Sequence, residues 1–294
     1  MSGSLVPFRW NMGNPRLSRR LGPGASLQPP KGFKETLTQL AVEVLRAGQD
    51  VDFVFVGRSP ENLYDFLSGA LAETSWFGRT QQLQLSLHEH APGRLRRQHA
   101  AALARLWGYF ESLGLTPPQL LERPRPVAFV DLVFAGRTFG NLLRLLRFWS
   151  GGDLRRWGPV RDRLILVCIV ERGHSRFEPW EPGHSPWTGE VAEGALRRVP
   201  LDTKTWRYWA DRQPKTTDSF PPDRWDDPEQ GEPPTERERL QAARFARSLY
   251  RLGGWSRRRL ATSLAGRRGE SIPVWRDRLA RELAPLGKRR RRGR

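Results

Sequence analysis

The sequence predicts an α/β protein with a mostly parallel sheet, and three features carry that expectation. Short apolar, β-branched runs at 53–56, 127–130 and 164–170 have the length and composition of buried strands. Between them lie segments with apolar residues at three- and four-residue spacing, the pattern of helices with one buried face. Strand and helix alternate along the chain, and such alternation packs helices over the faces of a parallel sheet.

The elements follow in order. Residues 1–30 carry Gly, Pro, Ser and Arg without periodicity and read as a flexible arm. Helical spacing begins at Lys34 and runs to Ala47, with Leu37, Leu40, Ala41, Val44 and Leu45 on one face and Gly48 as its stop. Asp52 to Val56 is a strand that ends in Gly57-Arg58-Ser59-Pro60. Ser59 can cap the next helix with Pro60 in its first turn, and that helix continues through Leu63, Phe66, Leu67 and Leu71. Gln82 to Leu87 alternates as a strand, Arg97 to Leu113 is amphipathic, and Pro124-Arg125-Pro126 launches the strand at 127. A helix over 138–149 and a strand over 164–170 complete the α/β pattern. From Gly173 the texture becomes rich in Pro and Trp, and the Trp side chains suggest packing onto the core. Three helices are expected beyond it, at 236–252, 257–264 and 274–283. The expected organisation is thus an arm (1–30), an α/β core (31–172), a Trp/Pro-rich extension or hood (173–235), a helical segment (236–285) and a basic tail (286–294).

Composition narrows the classes. An apolar fraction of 38%, with 24 Pro and 28 Gly, implies a true core plus irregular segments. No apolar run approaches the ~18 residues that span a bilayer, and residues 1–20 lack the apolar stretch of a signal peptide, so a cytoplasmic location is the default expectation. The single Cys168 lies within LILVCIV and reads as a core thiol. The net charge is +19, and only five of the 50 basic residues are Lys. Dispersed Arg is compatible with a solvated surface, whereas the run Lys288-Arg289-Arg290-Arg291-Arg292 favours polyanions such as nucleic acid.

The stretch Val127–Leu146, VAFVDLVFAGRTFGNLLRLL, is the most informative. An apolar strand ends in one acid, Asp131, and a small-residue loop leads into a helix. The first turn of a helix presents unpaired N–H groups and partial positive charge to such a loop. Gly136 permits close backbone approach to an anion, and Thr138 can cap the helix or donate its hydroxyl. The loops 57–60 and 134–138 both follow strand carboxyl ends, which places them on the same ligand-binding rim.

VAFVDLVFAGRT resembles the ribose-phosphate signature of the type I phosphoribosyltransferases: four apolar residues, two acids, and a short loop ending Thr-Gly-x-Thr. Asp131 stands at the second acid, Gly136 at the glycine, Arg137 at the variable position and Thr138 at the last threonine. The strand and loop at 53–59 resemble the family's pyrophosphate-contacting loop. The likeness covers about residues 34–170. It implies a parallel sheet with a hood, and phosphoribosyl pyrophosphate or a nucleotide as ligand, with Mg²⁺ carried on the pyrophosphate. Asp131 would hold ribose hydroxyls or the metal's water; Ala135, Gly136, Arg137 and Thr138 would hold the 5′-phosphate; Gly57, Arg58 and Ser59 would face the pyrophosphate. The chain departs from the pattern at Val130 (first acid), Phe134 (a polar or acidic position) and Ala135 (first threonine). Transfer of phosphoribosyl to or from a base and ligand binding without transfer therefore both stay open.

Plainer roles stay open as well. Asp131 and Gly136 can be turn residues, Thr138 and Ser59 caps, and Arg58 and Arg137 solvated side chains. His88-Glu89-His90 with His99 is a weak metal pattern, and His174 and His184 read as surface or packing residues. Glu171, after the last strand, falls on the same rim. The rival functional expectation is a nucleic-acid-binding, regulatory or assembly protein that keeps the fold as scaffold and uses the basic tail.

Overall fold

The computed structural model describes residues 6–21, 31–87, 92–173, 187–225, 227–266 and 271–284. Five strands form one sheet: β1 (Asp52–Val56), β2 (Thr80–Leu83), β3 (Val127–Leu132), β4 (Leu164–Glu171) and β5 (Leu196–Leu201). Their order is β2-β1-β3-β4-β5 and every pairing is parallel. The α/β expectation therefore holds at the level of a wholly parallel sheet.

Alternation along the strands feeds two apolar layers. Phe53 and Phe55 of β1 face one layer, with Ala128, Val130 and Leu132 of β3. Val54, Val56, Val127 and Phe129 face the other. The first layer is covered by α2 (Phe33–Gly48), α3 (Glu61–Leu71), α10 (Arg237–Leu264) and α11 (Val274–Leu283). The second is covered chiefly by α5 (Ala100–Ser112), α6 (Pro117–Glu122), α7 (Arg137–Trp149) and α8 (Leu154–Arg161). On α7, Leu142, Leu143, Leu145 and Leu146 are fully buried, each a gain of about 1.5–3 kcal/mol against exposure.

Several boundaries differ from the sequence expectation. The amphipathic stretch at 97–113 is two helices, α4 (Pro92–Gln98) and α5, with His99 between them as the N-cap residue of α5. The strand expected over 82–87 pairs only through Thr80–Leu83, although Leu85 and Leu87 remain buried. β5 lies within the Trp/Pro-rich extension. It is an edge strand containing Pro200, and proline is tolerated at a sheet edge, where one side of the strand needs no donors. It carries the sheet past residue 173. Residues 6–21, within the expected arm, pack onto the fold: Trp10, Met12, Leu17 and Leu21 are buried with Ala243 and Ala246 of α10, and α1 is Leu17–Leu21.

The expected break between 252 and 257 is absent, and α10 runs unbroken for 28 residues. Gly253 sits where α10 meets α3, and a Cβ there would lie 1.9 Å from the Phe66 carbonyl oxygen. A Cβ on Gly69 of α3 would lie 1.8 Å from the carbonyl oxygen of Tyr250. The two helices cross backbone against backbone, so glycine serves close approach here and does not end the helix. The connection from β5 contains α9 (Thr203–Arg207), capped by the Asp202 side chain on the Thr205 amide at 3.0 Å. After it comes the segment 208–217, which lies over the carboxyl end of β1.

Candidate functional site

β1 and β3 are sheet neighbours, yet β2 lies on the outer side of β1 while β4 and β5 continue beyond β3. Chain direction across the sheet reverses between them, and in open parallel sheets the crevice at such a reversal is the usual ligand site. The loops after β1 and β3 flank this crevice, as expected from their positions in the sequence.

The loop after β3 forms an open cradle. Residues 131–139 line a cavity of 320 Å³ at the N-terminus of α7. Gly136 has φ 66°, a left-handed conformation that disfavours side chains, and is itself the N-cap of α7. Thr138 accordingly lies in the first turn and is not the cap, and no side-chain cap bond is made there. Phe134, Ala135 and Arg137 are exposed and Thr138 is half-buried. Phe134, 53% exposed, tilts against Trp206 with ring centres 6.2 Å apart.

Asp131 lies at the floor, 8% exposed, paired in register with Cys168 of β4. Burial pushes its carboxyl well above the ordinary carboxylate range, against the opposing pull of the Leu132 amide and of Lys215. The Cys168 thiol is buried and held strongly protonated by the same desolvation, in keeping with a core thiol.

The loop after β1 is built differently. Gly57, Arg58 and Ser59 are half-buried and none of them lines the cavity. Ser59 does not cap α3; Pro60 is the N-cap, with no side-chain cap bond. Instead the loop is clasped by 209–217. Gln213 Nε2 donates to the carbonyl oxygens of Ser59 and Arg58, the latter at 3.3 Å. Lys215 Nζ donates to Arg58 O at 3.2 Å and to Trp209 O at 3.2 Å. Arg58 Nη1 donates to Thr217 O at 3.3 Å. Burial lowers the Arg58 guanidinium from its ordinary value, although Glu61 pulls the other way.

Lys215 is held against the β1 loop by its bonds to Arg58 O and Trp209 O. Burial lowers its ammonium to about 8, with Glu61 opposing, Arg58 assisting and Asp131 opposing that shift. Its charge lies within electrostatic reach of Glu61, Arg58 and Asp131. Behind it, Glu61 is fully buried and accepts from Thr216 N at 2.9 Å, Thr216 Oγ1 at 3.1 Å and Thr217 Oγ1 at 3.3 Å. Arg9 donates to Thr216 Oγ1 and, at 2.5 Å, to Asp65. Desolvation raises Asp65 to about 6, with Arg9 opposing and Glu61 assisting.

None of Lys215, Gln213, Glu61 and Asp65 was singled out from the sequence. Two signals were available. Lys215 is one of five lysines in a chain with 50 basic residues, and Lys, unlike Arg, changes charge readily when buried. Glu61 and Asp65 stand four apart on a helix that otherwise buries Leu63, Phe66 and Leu67.

The other expected positions separate. Glu171 closes β4, buried, with Arg207 at 3.6 Å, and does not line the cavity. His88, Glu89, His90, His174, His184, Trp180 and residues 286–294 lie outside the described residues. Among the described residues no three His, Cys, Asp or Glu side chains gather to hold a metal ion. Asp131 offers one carboxylate, which suits Mg²⁺ only as an ion arriving on ligand phosphates, the usual habit of that metal. Among the described residues no helix is long and apolar enough to cross a membrane. No family model, no curated protein and no solved structure matches the chain.

Proposed function

We propose that this chain is phosphoribosyltransferase-like and binds a phosphorylated ribose, phosphoribosyl pyrophosphate or a nucleotide, in the crevice between β1 and β3. One observation carries the reading: a buried acid, Asp131, precedes a loop whose left-handed Gly136 opens the N-terminus of a 13-residue helix at the point where chain direction reverses. In this reading the first-turn amides of α7, with Arg137 and Thr138, take the 5′-phosphate. Asp131 takes the ribose hydroxyls. Lys215 and Arg58 face the pyrophosphate, whose charge Mg²⁺ shares when bound.

Val130 and Ala135 stand where the resembling family has an acid and a threonine, so the site has one carboxylate where the family has two. A desolvated, readily protonated Asp131 can donate as well as accept to a hydroxyl, but it is a weak partner for positive charge developing at the anomeric carbon. That balance supports retention of binding with phosphoribosyl transfer to or from a base as the weaker capacity. The test is calorimetric titration with phosphoribosyl pyrophosphate and Mg²⁺ at moderate salt. We expect saturable binding, weakened at least ~10-fold, about 1.4 kcal/mol, by Asp131→Asn and by Thr138→Ala. Binding indifferent to both substitutions would refute the assignment. The rival reading, polyanion contact on a scaffold, is favoured by a different surface.

A further inference from the structure

The solvent face of α10 brings together a bare indole and a group of guanidinium ions. Ser248, Arg251, Trp255, Arg258, Arg259 and Thr262 follow one another at three- and four-residue spacing, so they share one exposed stripe. Trp255 is 80% exposed, while every other described tryptophan is buried or half-buried. Arg251 lies one turn before it, and Arg258 and Arg259 one turn after. From residue 251 to 262 the helix carries no acid. The neighbouring arginines are engaged elsewhere: Arg257 reaches Glu73 and, at 2.9 Å, the Glu282 carbonyl; Arg278 pairs with Glu282 at 3.0 Å and Arg281 with Asp277 at 2.8 Å. Arg258 and Arg259 have no ion-pair partner among the described residues.

Beside this stripe is a groove of 840 Å³, lined by Trp255, Arg257, Arg258 and the end of α11, with Glu73 and Glu282 in it paired to Arg257 and Arg278. The chain leaves the described structure at Ala284, four residues before the run Lys288-Arg289-Arg290-Arg291-Arg292.

We propose that this face binds single-stranded nucleic acid, with an unpaired base stacked on Trp255 and the flanking phosphates on Arg258 and Arg259. An accessible indole offers a stacking platform that any base satisfies, and the surrounding Arg side chains follow the backbone. A duplex keeps its bases stacked on one another and leaves the indole without a partner. A second copy of the chain would bring the same positive face and repel it.

The experiment uses the full chain, with fluorescence anisotropy of a labelled ~20-nucleotide single strand and of the matching duplex at about 150 mM salt. The single strand is expected to bind at least ~10-fold more tightly than the duplex, Trp255→Ala to weaken it about 10-fold, and Trp255→Phe to restore most of the loss. Arg258→Ala with Arg259→Ala should flatten the plot of log affinity against log salt by about 1.4, the release expected from two phosphate contacts on a single strand. These exposed positions leave the fold intact, which the melting temperature checks. Equal affinity for single strand and duplex, or unchanged binding in Trp255→Ala with an unchanged salt slope, overturns the proposal. So does self-association of the chain that Trp255→Ala abolishes. Asp131→Asn should leave strand binding unchanged, so failure here and failure of the ribose-phosphate reading are separable.

Discussion

The two loops at the carboxyl end of the sheet sit on adjacent strands and are held in opposite ways. The loop after β1 is clasped: its carbonyls are taken by Gln213 and Lys215, and the start of α3 is pinned through Glu61 to Thr216 and Thr217. The loop after β3 is open: Phe134, Ala135 and Arg137 face solvent, and its acid lies beneath them in a desolvated floor. The difference assigns distinct work to each side. The clasped loop is a fixed wall whose carbonyls are taken up by protein donors. The open loop leaves the N-terminus of α7 without a side-chain cap above a desolvated carboxyl. Stability and binding should therefore respond to substitution on opposite sides of the crevice.

The largest effect is expected on the clasped side. Glu61→Ala leaves the Thr216 amide and two threonine hydroxyls buried without an acceptor and Arg9 short of a counter-charge. It should cost about 3–5 kcal/mol in urea unfolding. Asp131→Asn on the open side should not lower stability at neutral pH, because it removes a carboxylate that burial disfavours, while ligand affinity falls at least ~10-fold. A matching loss of stability in Asp131→Asn would erase the distinction between the loops.

Lys215 belongs to the clasp and lies within electrostatic reach of Asp131. If its charge serves the ligand, phosphate affinity is full below pH about 8 and declines as pH rises through that value, where the folded ammonium loses its proton. Lys215→Arg should remove that decline, and a binding profile flat from pH 7 to about 9 would take Lys215 out of the site. Asp65 gives a smaller signal with the opposite ion. Its folded carboxyl holds a proton up to about 6 against an ordinary 3.8. Folding therefore gains as pH falls through this window and loses that contribution as pH rises through it. The stability difference between the native chain and Asp65→Asn should change across pH 4 to about 6 and be level above it. The smallest effect belongs to the open loop's tip, where Phe134→Ala should change unfolding stability by less than about 0.5 kcal/mol.

What could be read from the sequence followed from local pattern. The apolar runs of β1, β3 and β4, the Gly-Arg-Thr loop and the faces of α2, α3 and α7 are each determined within a dozen residues, and they place the open loop correctly. The clasped loop was only half legible. Gly57, Arg58 and Ser59 were visible, but what holds them, Gln213 and Lys215, lies about 155 residues away in a segment with no periodicity. β5 was hidden because Pro200 and two arginines obscure a strand that needs pairing on one side only. Gly253 read as a break because glycine is a poor helix former, and only the crossing with α3 explains its presence inside one.

That crossing has a mechanical consequence. Where Gly69 meets Tyr250 and Gly253 meets Phe66, there is no layer of side chains to absorb a small displacement. α3 begins at Glu61, beneath the crevice, and α10 carries Trp255 two residues beyond the contact. A backbone contact of this kind passes a shift of one helix to the other more directly than a layer of side chains does, and it stands between the crevice and the arginine–tryptophan face.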